Sequence, residues 1–259
     1  MTDHIQLVRD GAVLEIALSR PEKKNALTGA MYRAMTAALR EASSEDAVCV
    51  VLLHGRGDAF CAGNDLEDFL AGPEGSEPAF AFIKELAQFD KPIVVAVQGQ
   101  AVGVGTTMLF HCDLVYASPD ARFVMPFVNL GMVPEAGSSL LAPLRLGHAK
   151  AAAMLLLGEP LGPVEADAAG LVTAIVPHGE LLGLARIKAR ALAEKPLAAL
   201  TVTRRLMKLP IDVVMNRIDE EGRLFADALN SDDAREAITA FLERRRPVFN
   251  NEARSEAPG

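Results

Sequence analysis

Hydrophobic positions along the first hundred residues change period twice, and each change predicts an element. Ile5 to Val8 and Ala12 to Leu18 alternate with polar positions around Asp10-Gly11, the pattern of a β-hairpin. It leads into the loop Arg20-Pro21-Glu22-Lys23-Lys24-Asn25. From Thr28, the residues Met31, Met35, Ala38, Leu39 and Ala42 recur every three or four positions. That spacing predicts an amphipathic helix with Thr28 as its N-cap. Val48 to Leu53 and Ile93 to Val97 are short, continuous and rich in β-branched side chains, as strands covered on both faces require. Helices are expected between them over Ala79 to Phe89, after them from near Val104, and again over Ser138 to Leu146, with a strand over Leu114 to Ala117. This alternation predicts parallel βαβ units, that is, an α/β fold. Arg122 to Val124 and Thr173 to Val176 are expected in a second layer of small strands, and Gly72 to Pro78 reads as a loop. After Pro177 the period is helical: Glu180 to Glu194, Leu197 to Met207, Ile211 to Leu229 and Asp232 to Arg245, with Pro196 and Pro210 as separators.

Composition narrows the function classes. A chain of 259 residues, 50% of them hydrophobic, can bury a large core as one domain or one domain with a helical appendage. The net charge of -8 argues against a nucleic-acid surface, which draws its affinity from clustered Lys and Arg. The three cysteines are odd in number and form no CxxC pair, so neither a disulfide framework nor a thiolate zinc site is expected, and a reducing cytoplasm fits. The five histidines show no ligand spacing such as HExxH, and no metal is expected. Neither an export signal nor a membrane-spanning run is visible.

The chemistry concentrates in two glycine-bearing loops that each follow an apolar run, Phe60-Cys61-Ala62-Gly63-Asn64-Asp65 and Gly99-Gln100-Ala101-Val102-Gly103-Val104-Gly105. Glycine permits a tight turn and close approach of a ligand, so bare N–H groups can converge on one negative oxygen. The second loop fits no nucleotide fingerprint. Met108 stands where a dinucleotide motif needs its third glycine, and Thr106-Thr107 follow Gly105 where a P-loop needs Gly-Lys. What remains is a helix N-terminus near Val104, whose free N–H groups favour developing negative charge. Glu135 is the one acid in the stretch Val133 to Ser139. It reads either as a proton shuttle or as a first-turn helix acid after Pro134. Asp65 reads as a loop cap and Thr107 as a helix hydroxyl.

In order along the chain, Arg20-Pro21 through Asn25-Ala26-Leu27, Phe60 to Asp65, Lys91 to Val97, Gly99 to Gly105, Cys112-Asp113 and Asn129-Leu130-Gly131 to Gly137 resemble the landmarks of the enoyl-CoA hydratase/isomerase, or crotonase, family. The resemblance covers nearly the whole chain. It implies a crotonase-like spiral of ββα units over residues 1–195, carrying the CoA and oxyanion site. It further implies a C-terminal helical oligomerisation region over 196–250, a frayed tail over 251–259, and assembly as a homotrimer or a dimer of trimers. The implied partner is an acyl-CoA thioester, with coenzyme A as part of the substrate and no other cofactor.

By this similarity the N–H groups of Asn64 and Val104 would grip a thioester carbonyl. Ala62, Asp65, Gly103 and Phe127 would face the substrate, and Lys23 and Lys24 would meet the CoA phosphates. The two glutamates of the family's hydratases match Thr107 and Phe127 here, and neither residue exchanges a proton near neutral pH. Hydration divides its proton transfers between two acids, whereas moving a double bond from C3 to C2 needs one carboxylate on one face. The segment around Glu135 resembles the one that carries the single catalytic glutamate of peroxisomal-type 3-enoyl-CoA to 2-enoyl-CoA isomerases. Isomerase is therefore the implied activity, with apolar Met125, Phe127, Met132 and Val133 expected to raise the pKa of Glu135. Two alternatives stay open: a hydratase or other CoA-enolate enzyme using another acid such as Asp65, and a catalytically silent acyl-CoA-binding subunit. Arg244-Arg245-Arg246 would reach a neighbour's CoA or simply end a helix. The group Phe69, Phe80, Phe82 and Phe89 would line an acyl pocket or belong to the core.

Overall fold

The computed structural model describes residues 2–69 and 73–249, so the expected tail over 251–259 lies outside the described residues. Strands β1 (Ile5–Asp10) and β2 (Val13–Leu18) form the hairpin, pairing Ile5 with Leu18 and Asp10 with Val13. Helix α1 (Gly29–Ser44) starts on Thr28, whose Oγ1 accepts the Met31 N–H at 3.3 Å, and it buries Met31, Tyr32, Met35 and Leu39. Then come β3 (Val50–Gly55), the short α2 (Leu66–Phe69), α3 (Pro73–Gln88), β4 (Ile93–Val97), β5 (Gln100–Val102), α4 (Val104–Thr107) running into a 3-10 turn, β6 (Leu114–Ala117) and β7 (Arg122–Val124). Helices α5 (Ser138–Leu146), α6 (His148–Ala152) and α7 (Pro163–Ala168) precede β8 (Ala174–Ile175). Four helices close the described chain: α8 (His178–Ala193), α9 (Leu197–Met207), α10 (Ile211–Leu229) and α11 (Asp232–Leu242).

Six strands make one sheet in the order β1-β2-β3-β4-β6-β8, parallel everywhere except the first pair. Side chains of the central strands alternate between two apolar layers. Val51, Leu53, Ile93 and Val95 pack with α1 and α3, while Val50, Leu52, Val94 and Ala96 pack under α8. Burial on both faces explains why these strands read as unbroken apolar runs. β5 and β7 form a separate two-stranded parallel sheet.

Three expectations are corrected. β8 belongs to the main sheet, where Tyr116 pairs with Ala174, and not to the second layer with β7. The segment read as a loop is helical from Pro73, because a proline in the first turn lacks only an N–H that has no helical acceptor. Helix α11 ends at Leu242, short of Arg245. Glu243 to Arg246, which follow it, are all charged and exposed, with nothing to continue the buried face.

Candidate functional site

The two glycine loops leave the C-terminal ends of adjacent parallel strands, β3 and β4, and are laced together. Cys61 N–H donates to Gln100 O at 3.0 Å, and Val102 N–H donates to Cys61 O at 2.9 Å. A Cβ on Gly63 would stand 3.1 Å from Val102 O, and one on Gly105 would stand 2.7 Å from Cys61 O. Glycine at these two places is therefore what lets the backbones approach. Gly103, at φ 53° and ψ -120°, turns the chain into α4, and Thr106 and Thr107 N–H both donate back to Gly103 O. Among the described residues, neither Asn64 N–H nor Val104 N–H donates to a protein acceptor. Both residues line the same cavity, of about 580 Å³.

Behind that cavity lies a narrower one, lined by Asn64 and Val104 again together with Tyr32, Phe80, Glu135 and Phe225. Glu135 is 5% exposed. The Thr107 hydroxyl donates to its Oε1, whereas its buried Oε2 makes no hydrogen bond to any described residue. Burial pushes the Glu135 carboxyl up to about 8, against a smaller pull from the Thr107 hydroxyl and with a further push from the negative charge of Glu221. The main chain beside it is held on several sides. Ala136 adopts φ 60° and its carbonyl meets His111 Nε2 at 2.8 Å, while Ser138 Oγ donates to Glu135 O at 2.6 Å. Glu221 of α10, also buried, accepts the N–H groups of Gly137 and Ser139 at 2.6 and 2.9 Å. These are free donors at the start of α5, which the carboxylate satisfies from another helix.

Other expected site residues divide. Lys23, Ala62, Asp65, Gly103 and Phe127 line the larger cavity, and Lys24 lies outside its lining. Asp65 is ion-paired with Arg20 at 2.6 Å. Arg245 lines this chain's own cavity and is paired with Glu236 and Glu243. Phe80 reaches the narrow cavity and stacks edge-on against Phe225 at 5.8 Å, Phe82 and Phe89 are core, and the Phe69 side chain lies outside the described residues. Sequence reading missed Tyr32 and Glu221. Tyr32 shares the core stripe of α1, yet its hydroxyl donates to Asn64 Oδ1. No group of three or more metal-ligating side chains comes together among the described residues.

Comparison with known proteins gives a consistent family. A family model described as enoyl-CoA hydratase/isomerase matches residues 9–252. The chain is 36% identical over 251 residues to the enoyl-CoA delta isomerase 2 of Rattus norvegicus, covering 93% of this chain and 64% of that protein. It therefore spans less than two thirds of that relative's length. It is 33% identical over 240 residues to a probable enoyl-CoA hydratase of Rhodobacter capsulatus, covering 90% and 93% of the two chains. A crystal structure of an enoyl-CoA hydratase/isomerase from Pseudoalteromonas atlantica T6c superposes with a TM-score of 0.91 at 40% identity, covering 95% of this chain and 100% of that one.

Proposed function

Since the chain belongs to the enoyl-CoA hydratase/isomerase family and has its crotonase fold, we propose that it moves the double bond of a 3-enoyl-CoA thioester from C3 to C2. Glu135 is the shuttling acid/base, and the N–H groups of Asn64 and Val104 are the oxyanion donors. The observation that carries this reading is the unpartnered Oε2 of a buried Glu135 on a cavity that Asn64 and Val104 also line.

The thioester oxygen sits between the two N–H groups, which strengthen their hold as it gains charge, an effect worth about 3–4 kcal/mol per donor. Oε2 takes the proton from C2, the C2–H electron pair spreads into a dienolate, and the same carboxyl returns the proton at C4. The carbonyl reforms, the C2–C3 bond becomes double, and Glu135 is ready again. Burial makes the carboxylate the stronger base for the first step, and the raised pKa keeps the captured proton on the carboxyl until the more basic dienolate takes it at C4. Thr107 holds Oε1 and leaves Oε2 to the substrate. Phe127, apolar and nearly buried, offers no second acid. Lys23 at the cavity wall suits a CoA phosphate. The reading needs no redox cofactor or metal, and it includes a cytoplasmic homotrimer or dimer of trimers.

A hydratase would need a second acid, and of the two acids in the larger cavity's lining Asp65 is committed to Arg20 and Glu67 is exposed to solvent. The test is incubation with 3-enoyl-CoA while following the absorbance of the conjugated thioester. Glu135→Gln should abolish turnover and leave ligand affinity intact. Water addition to 2-enoyl-CoA as the main reaction would move the assignment to hydratase, and tight binding without turnover would move it to a silent subunit.

A further inference from the structure

We propose that Glu221, on helix α10 of the C-terminal helical region, is a positioning residue for Glu135: it clamps the turn that aims the Glu135 carboxyl and sets a second negative charge behind it. The proposal rests on the acid/base reading of Glu135 for its kinetic consequences and on geometry for the rest.

Three observations converge. First, the turn after Glu135 is one that the chain would not hold by itself. Ala136 at φ 60° and Gly137 at φ 70° are both left-handed, and a non-glycine residue in that region costs of the order of 1 kcal/mol or more. Second, the Glu221 carboxylate bridges the turn from outside, taking Gly137 N–H on Oε2 at 2.6 Å and Ser139 N–H on Oε1 at 2.9 Å. Both oxygens are used, so the carboxylate fixes the orientation of the turn as well as its position. Third, Glu221 is 4% exposed, and a surface cap would have served the helix end equally well without the desolvation that a buried acid costs.

The charges around the pair are few. Tyr32 of α1 and the Thr107 hydroxyl of α4 face Glu135. Arg217, one turn before Glu221 on α10, donates to Ser139 Oγ at 3.1 Å and pairs with Glu220. His111 Nε2 meets the Ala136 carbonyl, and its burial lowers it to about 4, so it stays neutral over the working range. Burial pushes the Glu221 carboxyl up, against smaller pulls from the Ser139 hydroxyl, the N–H groups of Ser139 and Gly137 and the charge of Arg217, and where Glu221 is ionised its charge opposes ionisation of Glu135.

Glu221→Gln keeps the volume and one acceptor but removes the charge and one of the two clamping bonds. Glu221→Asp keeps the charge and withdraws it from the turn. In the full-length protein, the Glu135 carboxyl can be titrated by infrared difference spectroscopy, its band identified by loss in Glu135→Gln. This readout needs no substrate. The midpoint should fall by about one pH unit in Glu221→Gln and by less in Glu221→Asp. Turnover of 3-enoyl-CoA at its pH plateau should fall about tenfold in Glu221→Gln with little change in KM. A capping role alone would lower the melting temperature of both variants and leave the Glu135 midpoint where it was, and that result overturns the proposal. If the midpoint moves while the wild type turns over no 3-enoyl-CoA, the clamp stands and the isomerase reading falls.

Discussion

Replacing Glu135 by Gln should stabilise the folded protein by an amount that grows with pH. In the folded state burial lifts this carboxyl to about 8, whereas in the unfolded chain it titrates near 4.5. Between those values the native state keeps a proton that the unfolded state has released, so unfolding sheds a proton. The wild type therefore loses about 1.4 kcal/mol of stability for each pH unit climbed across that window. A raised folded value has this sign: the group's contribution is most favourable below 4.5 and is lost as pH rises through 8. By neutral pH the accumulated loss is roughly 3 kcal/mol. Gln accepts the Thr107 hydroxyl through its amide oxygen and releases no proton, so it escapes the loss. Urea unfolding of both proteins at about pH 5, 6, 7 and 8, at one fixed protein concentration so that association adds equally to each, reads the difference. The two stabilities should nearly coincide at the acid end and separate progressively toward the alkaline end. Parallel stability curves would refute the claim that the carboxyl is dry and protonated in the native protein.

Thr107→Val removes the hydroxyl that favours ionised Glu135, so the acid limb of the pH–rate profile should move above about 8, with turnover near neutral pH falling about tenfold. Tyr32→Phe leaves Asn64 Oδ1 without its donor and loosens the loop that carries the proposed oxyanion donor; kcat/KM should fall about tenfold while the circular dichroism spectrum is unchanged. Gly105→Ala drives a methyl to 2.7 Å from Cys61 O, which should cost about 1–3 kcal/mol in chemical denaturation and part the two loops enough to depress turnover. Thr28→Ala removes the cap of α1 and should cost about 1 kcal/mol of stability with no change in the pH–rate profile.

Elements whose signal is local were legible in the chain. The β1–β2 hairpin, the Thr28 cap, the unbroken runs of β3 and β4 and the four helices after Pro177 follow from period, capping and proline alone. Partnership was harder to read than existence. Of the Thr173 to Val176 segment only Ala174–Ile175 is strand, and its alternation carries no information about which sheet receives it; the main-chain pairing of Tyr116 with Ala174 decides that. The body of helix α3 follows from its period over Ala79 to Phe89, and only its first turns hid behind glycine and two prolines, Pro73 and Pro78. The helix nonetheless buries Phe82, Ile83 and Leu86 against the core, and such packing outweighs a weak local propensity.

The same division runs through the site. Asn64, Val104 and Glu135 stood out because glycine loops and an acid among apolar residues are visible within a few positions of sequence, and the structure brings all three to one cavity. The groups that hold them did not. Thr107 reaches Glu135 across 28 residues, Tyr32 reaches Asn64 across 32, and Glu221 reaches Gly137 across 84. Each looks ordinary where it sits: a hydroxyl in a short helix, an aromatic on a core stripe, a glutamate in an acidic run. What sets them apart is burial of a polar atom with a single partner of the right kind, and only folding creates that condition. In the proposed reaction, a buried acid that both gives and takes a proton needs one oxygen tethered and one left bare. Supplying the tether from distant elements keeps it rigid, because each is anchored by its own packing and not by the turn it steadies.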